Sequence, residues 1–231
     1  MITQIYAIQN AEEALRSIEA GADYLGMLPV ISGPVPEANT GEIPDADMRE
    51  IMDATEGKCV RVALSVSDDP EYFKAMAREY HPDLIQISGA EFHVDQAFRD
   101  EFKAEFPDVG IIQAVTVGWD RIAVEQAKEY AKWADMLILD TLNTDLAGVI
   151  GASGKGHSRE IDREIIESVD IPVIVAGGLD EENVTEIIEQ TRPFGVDTMT
   201  RTNRIIDGKK TMLKDFDKVR IFCERAHKFN A

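Results

Sequence analysis

Short apolar runs rich in β-branched residues recur along this chain, each followed by a segment with helical spacing of its apolar positions, and the alternation repeats eight times. Strands are expected at residues 2–8, 22–28, 60–66, 84–88, 110–117, 136–140, 173–176 and 196–199. The helical segments are expected at 11–20, 45–54, 70–80, 94–105, 120–133, 159–169, 181–190 and 213–228. Strands this short and uniformly apolar are buried on both faces, which is the signature of a parallel sheet.

An open doubly wound sheet shares the alternation but seldom fits eight equal units into one domain of 231 residues. That length also permits two small domains, yet no linker, low-complexity tract or charge run marks a boundary. The fold class expected is therefore α/β, a single (β/α)8 TIM barrel spanning residues 1–231.

Composition narrows the function classes. The formal net charge is −19, which argues against nucleic-acid binding because that needs a basic footprint. No apolar run reaches membrane-spanning length, and the chain starts on a strand-like segment without the pattern of a signal peptide. Cys59 and Cys223 lie far apart in no metal-binding spacing and read as small buried thiols of a reducing cytoplasm, with a disulfide as the lesser reading. None of His81, His93, His157 and His227 forms a metal-type pair at a strand end, so neither metal nor other cofactor is expected.

In barrels of this kind the chemistry sits where strands end and βα loops begin. Strand-end positions are Tyr6, Ser65, Gln86, Ser88, Gln113, Thr116, Asp140, Gly177, Gly178, Thr198 and Thr200. Asp140 directly follows Met-Leu-Ile-Leu, so apolar walls can raise its pKa toward that of a general acid; a local cap or ion pair is the other reading. Residues 151–157, Gly-Ala-Ser-Gly-Lys-Gly-His, bring Gly154 and Lys155 to a loop that can approach an anion, or merely cover the surface. Gly177-Gly178 ends the seventh strand, where backbone amides can hold a phosphate. Thr200 and Arg201, in the loop after the eighth strand, can complete that anion site, since Arg grips phosphate through two donors.

These motifs, in order, resemble the phosphoribosylanthranilate isomerase family over nearly the whole chain. The resemblance rests on Ala11-Glu-Glu-Ala14 through Gly26, Asp83-Leu-Ile-Gln86, Leu137-Ile-Leu-Asp140 with Gly151-Ala-Ser-Gly154-Lys155, Pro172-Val-Ile-Val-Ala-Gly-Gly-Leu179 and Gly195-Val-Asp197. It implies an Amadori rearrangement of an aminoaldose phosphate, with Asp140 as the acid that opens the sugar ring. The family's base is a Cys in a Lys-Ile-Cys-Gly pattern; here the stretch is Gln4-Ile5-Tyr6-Ala7. A free Tyr titrates near 10 against about 8.5 for Cys, so Tyr6 is a weaker base unless its surroundings change it. The family's carboxylate-binding Arg has no counterpart in Ser32–Glu37, and its Ser-Ser-Gly turn aligns with Met199-Thr-Arg201.

The leading expectation is thus an isomerase, a divergent member acting on a small phosphorylated sugar or sugar amine, with Tyr6, Glu91 or His157 as the second acid/base. The alternative is a barrel that binds a phosphosugar without turning it over, as a sensor or partner subunit. A metal-dependent epimerase is a third reading, with less to support it. A homodimer is left open.

Overall fold

The structure is a computed structural model, described here for residues 1–31, 41–141 and 156–230. In chain order the elements are β1 (Ile2–Tyr6), α1 (Ala11–Glu19), β2 (Tyr24–Val30), β3 (Glu42–Pro44), α2 (Asp45–Thr55), β4 (Val60–Ser65), α3 (Pro70–Tyr80), β5 (Leu84–Ile87), α4 (Gln96–Glu105) and β6 (Gly110–Val117). They continue as α5 (Ile122–Tyr130), β7 (Met136–Thr141), α6 (Arg159–Ser168), β8 (Val173–Val175), α7 (Val184–Thr191), β9 (Gly195–Thr198), β10 (Asn203–Ile206), β11 (Lys209–Lys214) and α8 (Phe216–His227).

Eight parallel strands close into a barrel, because β1 pairs with β2 on one side and with β9 on the other. The period of two along each strand splits the apolar residues into two cores. Ile5, Leu25, Ala63, Ile85, Ile111, Leu137, Leu139, Val173 and Val196 face outward and pack with the helices. Val62, Ile112, Ala114, Met136, Ile138, Ile174 and Ala176 fill the interior, joined by half-buried Ile2, Tyr24, Val60 and Leu84. That parity fixes which strand-end side chains face the mouth. Gln4, Tyr6, Gln86, Asp140 and Asp197 share the interior face; Gln113 and Thr198 share the outer one.

Local chemistry sets the helix starts. Asn10, Asp69, Asp95, Ser158 and Asp215 each accept a backbone N–H of the first turn. Two features depart from the sequence reading. The short β3 adds a parallel strand beside β2, with Leu28 opposite Glu42. Residues 203–214 form an antiparallel hairpin, so the last helix starts at Phe216 rather than at 213. The apolar Met212 and Leu213 fit a helical stripe in sequence, but pairing of β11 with β10 takes them first. No helix among the described residues is long and apolar enough to cross a membrane. Cys223 is buried and Cys59 half-buried, both as free thiols.

Candidate active site at the barrel mouth

Tyr6 ends β1 with its ring laid over β2. A Cβ at Gly26, its register partner, would lie 2.1 Å from Tyr6 Cδ2, so the absent side chain makes the room. Beyond it, Ala7 turns the chain at φ 60°, a left-handed conformation that costs a non-glycine residue free energy. Tyr6 is only 7% exposed, and its hydroxyl has no partner among the described residues. Burial pushes its pKa well above 10, and the charges of Asp197, Asp140 and Glu42 push the same way.

Asp140 stands on β7, opposite Thr116 of β6. Burial raises its pKa to about 6, against the opposing pull of the Thr141 backbone N–H, His157 and Arg159. The Thr141 N–H donates to Asp140 Oδ1 at 2.7 Å. Asp197 of β9 sits opposite Gln4, 7% exposed, and its Oδ1 also has no partner among the described residues. Burial, then the neighbouring Asp140, raise its pKa well above 3.8; Lys214 and a hydrogen bond from Gln4 work against them. Below, Gln4 Nε2 donates to Gln86 Oε1 and Gln86 Nε2 to Ser88 Oγ, a polar stack inside an otherwise apolar barrel.

Lys214, at the end of β11, is fully buried. Its Nζ donates to Met199 O at 3.1 Å and to Asn203 Oδ1 at 2.7 Å, while its backbone N–H meets Glu13 Oε1. Burial lowers its pKa to about 8 despite the attraction of Glu13 and Asp197. The lysine thus clasps both ends of the 199–203 turn and supplies positive charge behind Asp197.

The Gly177-Gly178 turn has its own support. Gly177 adopts φ +80°, and a Cβ there would come within 2.6 Å of Thr141 Oγ1 and 2.8 Å of His157 Nδ1. His157 is buried; its Nε2 meets Asp162 Oδ1 at 2.7 Å and its Nδ1 meets Thr141 Oγ1 at 2.9 Å. Arg159 joins Asp162 Oδ2, Ala176 O and Gly177 O in the same knot. Asp162, wholly buried, is compensated by these two partners. Gly178 O accepts from Asn183 Nδ2, and Asp180 Oδ1 accepts the N–H groups of Glu182 and Asn183.

The residues singled out in the sequence therefore distribute as follows. Tyr6 and Asp140 share the mouth, while Gly177 and Gly178 form a turn at φ +80° and +72°. Thr200 is half-buried in the turn before β10. Arg201, 45% exposed, makes an ion pair with Asp180 at 2.8 Å, next to the Gly-Gly turn. Gly154 and Lys155 lie outside the described residues. Glu91 is exposed, and His157 is tied to Asp162 and Thr141. Ser65, Gln113 and Thr198 serve loop structure: they bond the backbone at Ser67, Val94 and Leu179.

Sequence reasoning missed Asp197, Lys214, Arg159 and Asp162. Asp197 was accessible from the period-two rule, being two residues before Met199 on a strand that begins at Gly195. Lys214 was hidden by the helical reading of 213–228, and the Arg159–Asp162–His157 knot only looks like a helix start.

A closed parallel eight-stranded barrel ringed by helices, with carboxyl groups and glycine turns at the carboxyl ends of its strands, defines a (β/α)8 barrel. The family model for N-(5'-phosphoribosyl)anthranilate isomerase matches residues 3–224. A relative of that name from Aquifex aeolicus is 31% identical over 222 residues, 96% of each chain. Another, from Methanocella arvoryzae, is 35% identical over 148 residues; the match covers 64% of this chain and 63% of that protein. The crystal structure of the Thermotoga maritima enzyme superposes with a TM-score of 0.75 at 26% identity, covering 99% of this chain and all of that one. The chain belongs to the phosphoribosylanthranilate isomerase family.

Proposed function

We propose that this chain is an aldose–ketose isomerase of the Amadori type, acting on a phosphorylated sugar or sugar amine, with Asp140 as general acid. The observation that carries the reading is Asp140 itself. Burial lifts it to about 6, so it holds a proton within reach of neutral pH, at the strand end that faces Tyr6. A solved family structure holds reduced 1-(o-carboxyphenylamino)-1-deoxyribulose 5-phosphate, which makes a phosphorylated ketose amine the natural ligand class to test.

The proton taken from the sugar carbon needs a second group. Glu91 is exposed, and His157 is committed to Asp162 and Thr141. We assign the step to Tyr6, whose phenolate accepts the carbon's proton. Because burial and the charges of Asp197, Asp140 and Glu42 hold Tyr6 protonated, this step is slow. Turnover of the family's own substrate should be low, since weakening a general base alone costs on the order of a hundred- to ten-thousand-fold.

The phosphate is assigned to the Gly177-Gly178 turn together with Thr200, Arg201 and Gly154. Arg201 stands beside that turn and can exchange its exposed bond to Asp180 for a phosphate oxygen. Inorganic phosphate at millimolar concentration should raise the melting temperature, and Arg201→Ala should reduce the rise. No shift in the parent protein would count against the site.

The perturbed Tyr6 favours one other reading, a phosphosugar-binding barrel without turnover. Asp140→Asn separates the two. An isomerase loses kcat strongly while keeping phosphosugar affinity; a binding protein shows no turnover in the parent and changes affinity at most. A solved structure concerns monomers made from a dimeric Thermotoga maritima enzyme. Sedimentation would decide whether this chain also pairs.

A further inference from the structure

Outside the barrel, β10 and β11 pair only with each other, as a two-stranded antiparallel sheet. β10 therefore has β11 on one side and no strand on the other among the described residues. Arg204, Ile205 and Ile206 of β10 line a groove of about 590 Å³, closed on its far side by α1 at Arg16 and Ala20 and by α8 at Phe216. A strand edge of this kind presents backbone N–H and C=O groups that can pair with another extended segment.

The side chains at this edge are unusual for the molecule. Ile205 is 68% exposed and Ile206 45%, and with Leu213 the hairpin holds three of the seven large apolar side chains exposed among the described residues. Their register partners on β11 are Lys210 and Lys209, which put positive charge directly behind them. Acids outnumber Lys and Arg by 43 to 24, yet Arg204, Lys209 and Lys210 make no ion pair among the described residues. Arg204 lies over the Phe216 ring at 5.6 Å instead. Across the groove Arg16 and Arg220 are matched by Glu12 and Glu224. Of the groove's own acids, Asp215 caps α8 and Asp217 lies 3.8 Å from Arg220, while Glu19 stands on the α1 side. The unmatched charge on the hairpin is thus mainly positive, in a chain whose formal net charge is −19.

We infer that this edge is a docking site for an extended segment of a partner protein, one that alternates carboxylate and apolar side chains and adds to β10 as a third strand. Its backbone pairs with β10, its apolar side chains cover Ile205 and Ile206, and its carboxylates meet Arg204 with Lys209 and Lys210 behind it. A second copy of the chain fits less well, because a two-fold contact sets these cations against themselves. An anionic bilayer is repelled by the acidic remainder of the surface, whereas a partner protein can confine its negative charge to the docking segment.

The test is fluorescence anisotropy of a labelled peptide, Glu-Val-Glu-Thr-Glu-Val-Glu, titrated with the full chain at neutral pH and low salt. It should bind with a Kd on the order of 0.1 mM or below. An analogue with Lys for every Glu and an analogue with Pro for the central Thr should each bind at least tenfold more weakly, the first through charge and the second through loss of a strand donor. Arg204→Glu should weaken the acidic peptide at least tenfold. If that variant does not fold, Lys209→Glu combined with Lys210→Glu, both on exposed side chains, should weaken it severalfold. Equal binding of the lysine or the proline analogue overturns the inference. So does absence of binding, which leaves the lysines as a guard against edge pairing. A dimer in sedimentation that the double variant dissociates assigns the edge to a second copy and overturns the inference too. Binding to phosphatidylserine vesicles that the double variant abolishes assigns it to lipid, with the same consequence.

Discussion

Replacing Gly177 by Ala tests how the glycine turn is built. The residue sits at φ +80°, where an L side chain costs roughly 1–2 kcal/mol. The added Cβ would also lie 2.6 Å from Thr141 Oγ1, 2.8 Å from His157 Nδ1 and 2.9 Å from His157 Cε1. None of these atoms is the loose end of a flexible chain, because His157 is fixed by Asp162 and Thr141. Forcing them apart removes a hydrogen bond, about 0.5–1.5 kcal/mol, and overpacks the site by about 1–3 kcal/mol. The sum is roughly 3–6 kcal/mol, a large part of the ~5–15 kcal/mol that holds a domain together. In a chain of this size it lowers Tm by about 6–24 °C.

Gly57→Ala is the control: its φ is +68° and nothing lies within 4 Å of a Cβ, so it carries the backbone cost alone. Urea unfolding of both variants, with equal m-values, isolates the packing part as their difference, about 2–4 kcal/mol. If Gly177→Ala costs no more than Gly57→Ala, the close packing of this turn on Thr141 and His157 is not what the structure shows it to be.

Three further outcomes are expected. Asp140 is held near 6, above its unfolded value of about 3.9, so its contribution to stability is full below pH 4 and is lost as pH rises through 6. Asp140→Asn should therefore be more stable than the parent by about 3 kcal/mol at pH 8, with the difference gone near pH 4; urea midpoints at the two pH values check this. If Asp140 is the acid, kcat/KM should fall with rising pH with an inflection near 6, and a flat profile from pH 5 to 8 would exclude that role. Lys214, lowered to about 8, binds fewer protons folded than unfolded between pH 8 and 10, so parent stability should rise across that interval. Lys214→Met should lack the rise and, with the 199–203 turn unclasped, should lose most of the thermal protection by phosphate.

The eight-fold order of strands and helices could be read from the sequence because it is local: strand period, helix caps and glycine stops act within a few residues. The same locality placed Asp140 after Met-Leu-Ile-Leu and Gly177-Gly178 after Val-Ile-Val-Ala, at the barrel mouth. What the sequence could not supply is closure. Pairing of β1 with β9 sets Asp197 opposite Gln4, on the face that carries Tyr6, and Lys214 reaches Glu13 across 201 residues. The pKa of Asp140 also depends on which groups surround it in space, among them His157, Arg159 and Asp162 of the next unit. Hairpin pairing over 203–214 overrode an apolar spacing that favoured helix. Local propensity writes the elements; long-range hydrogen bonding and burial decide which side chains meet.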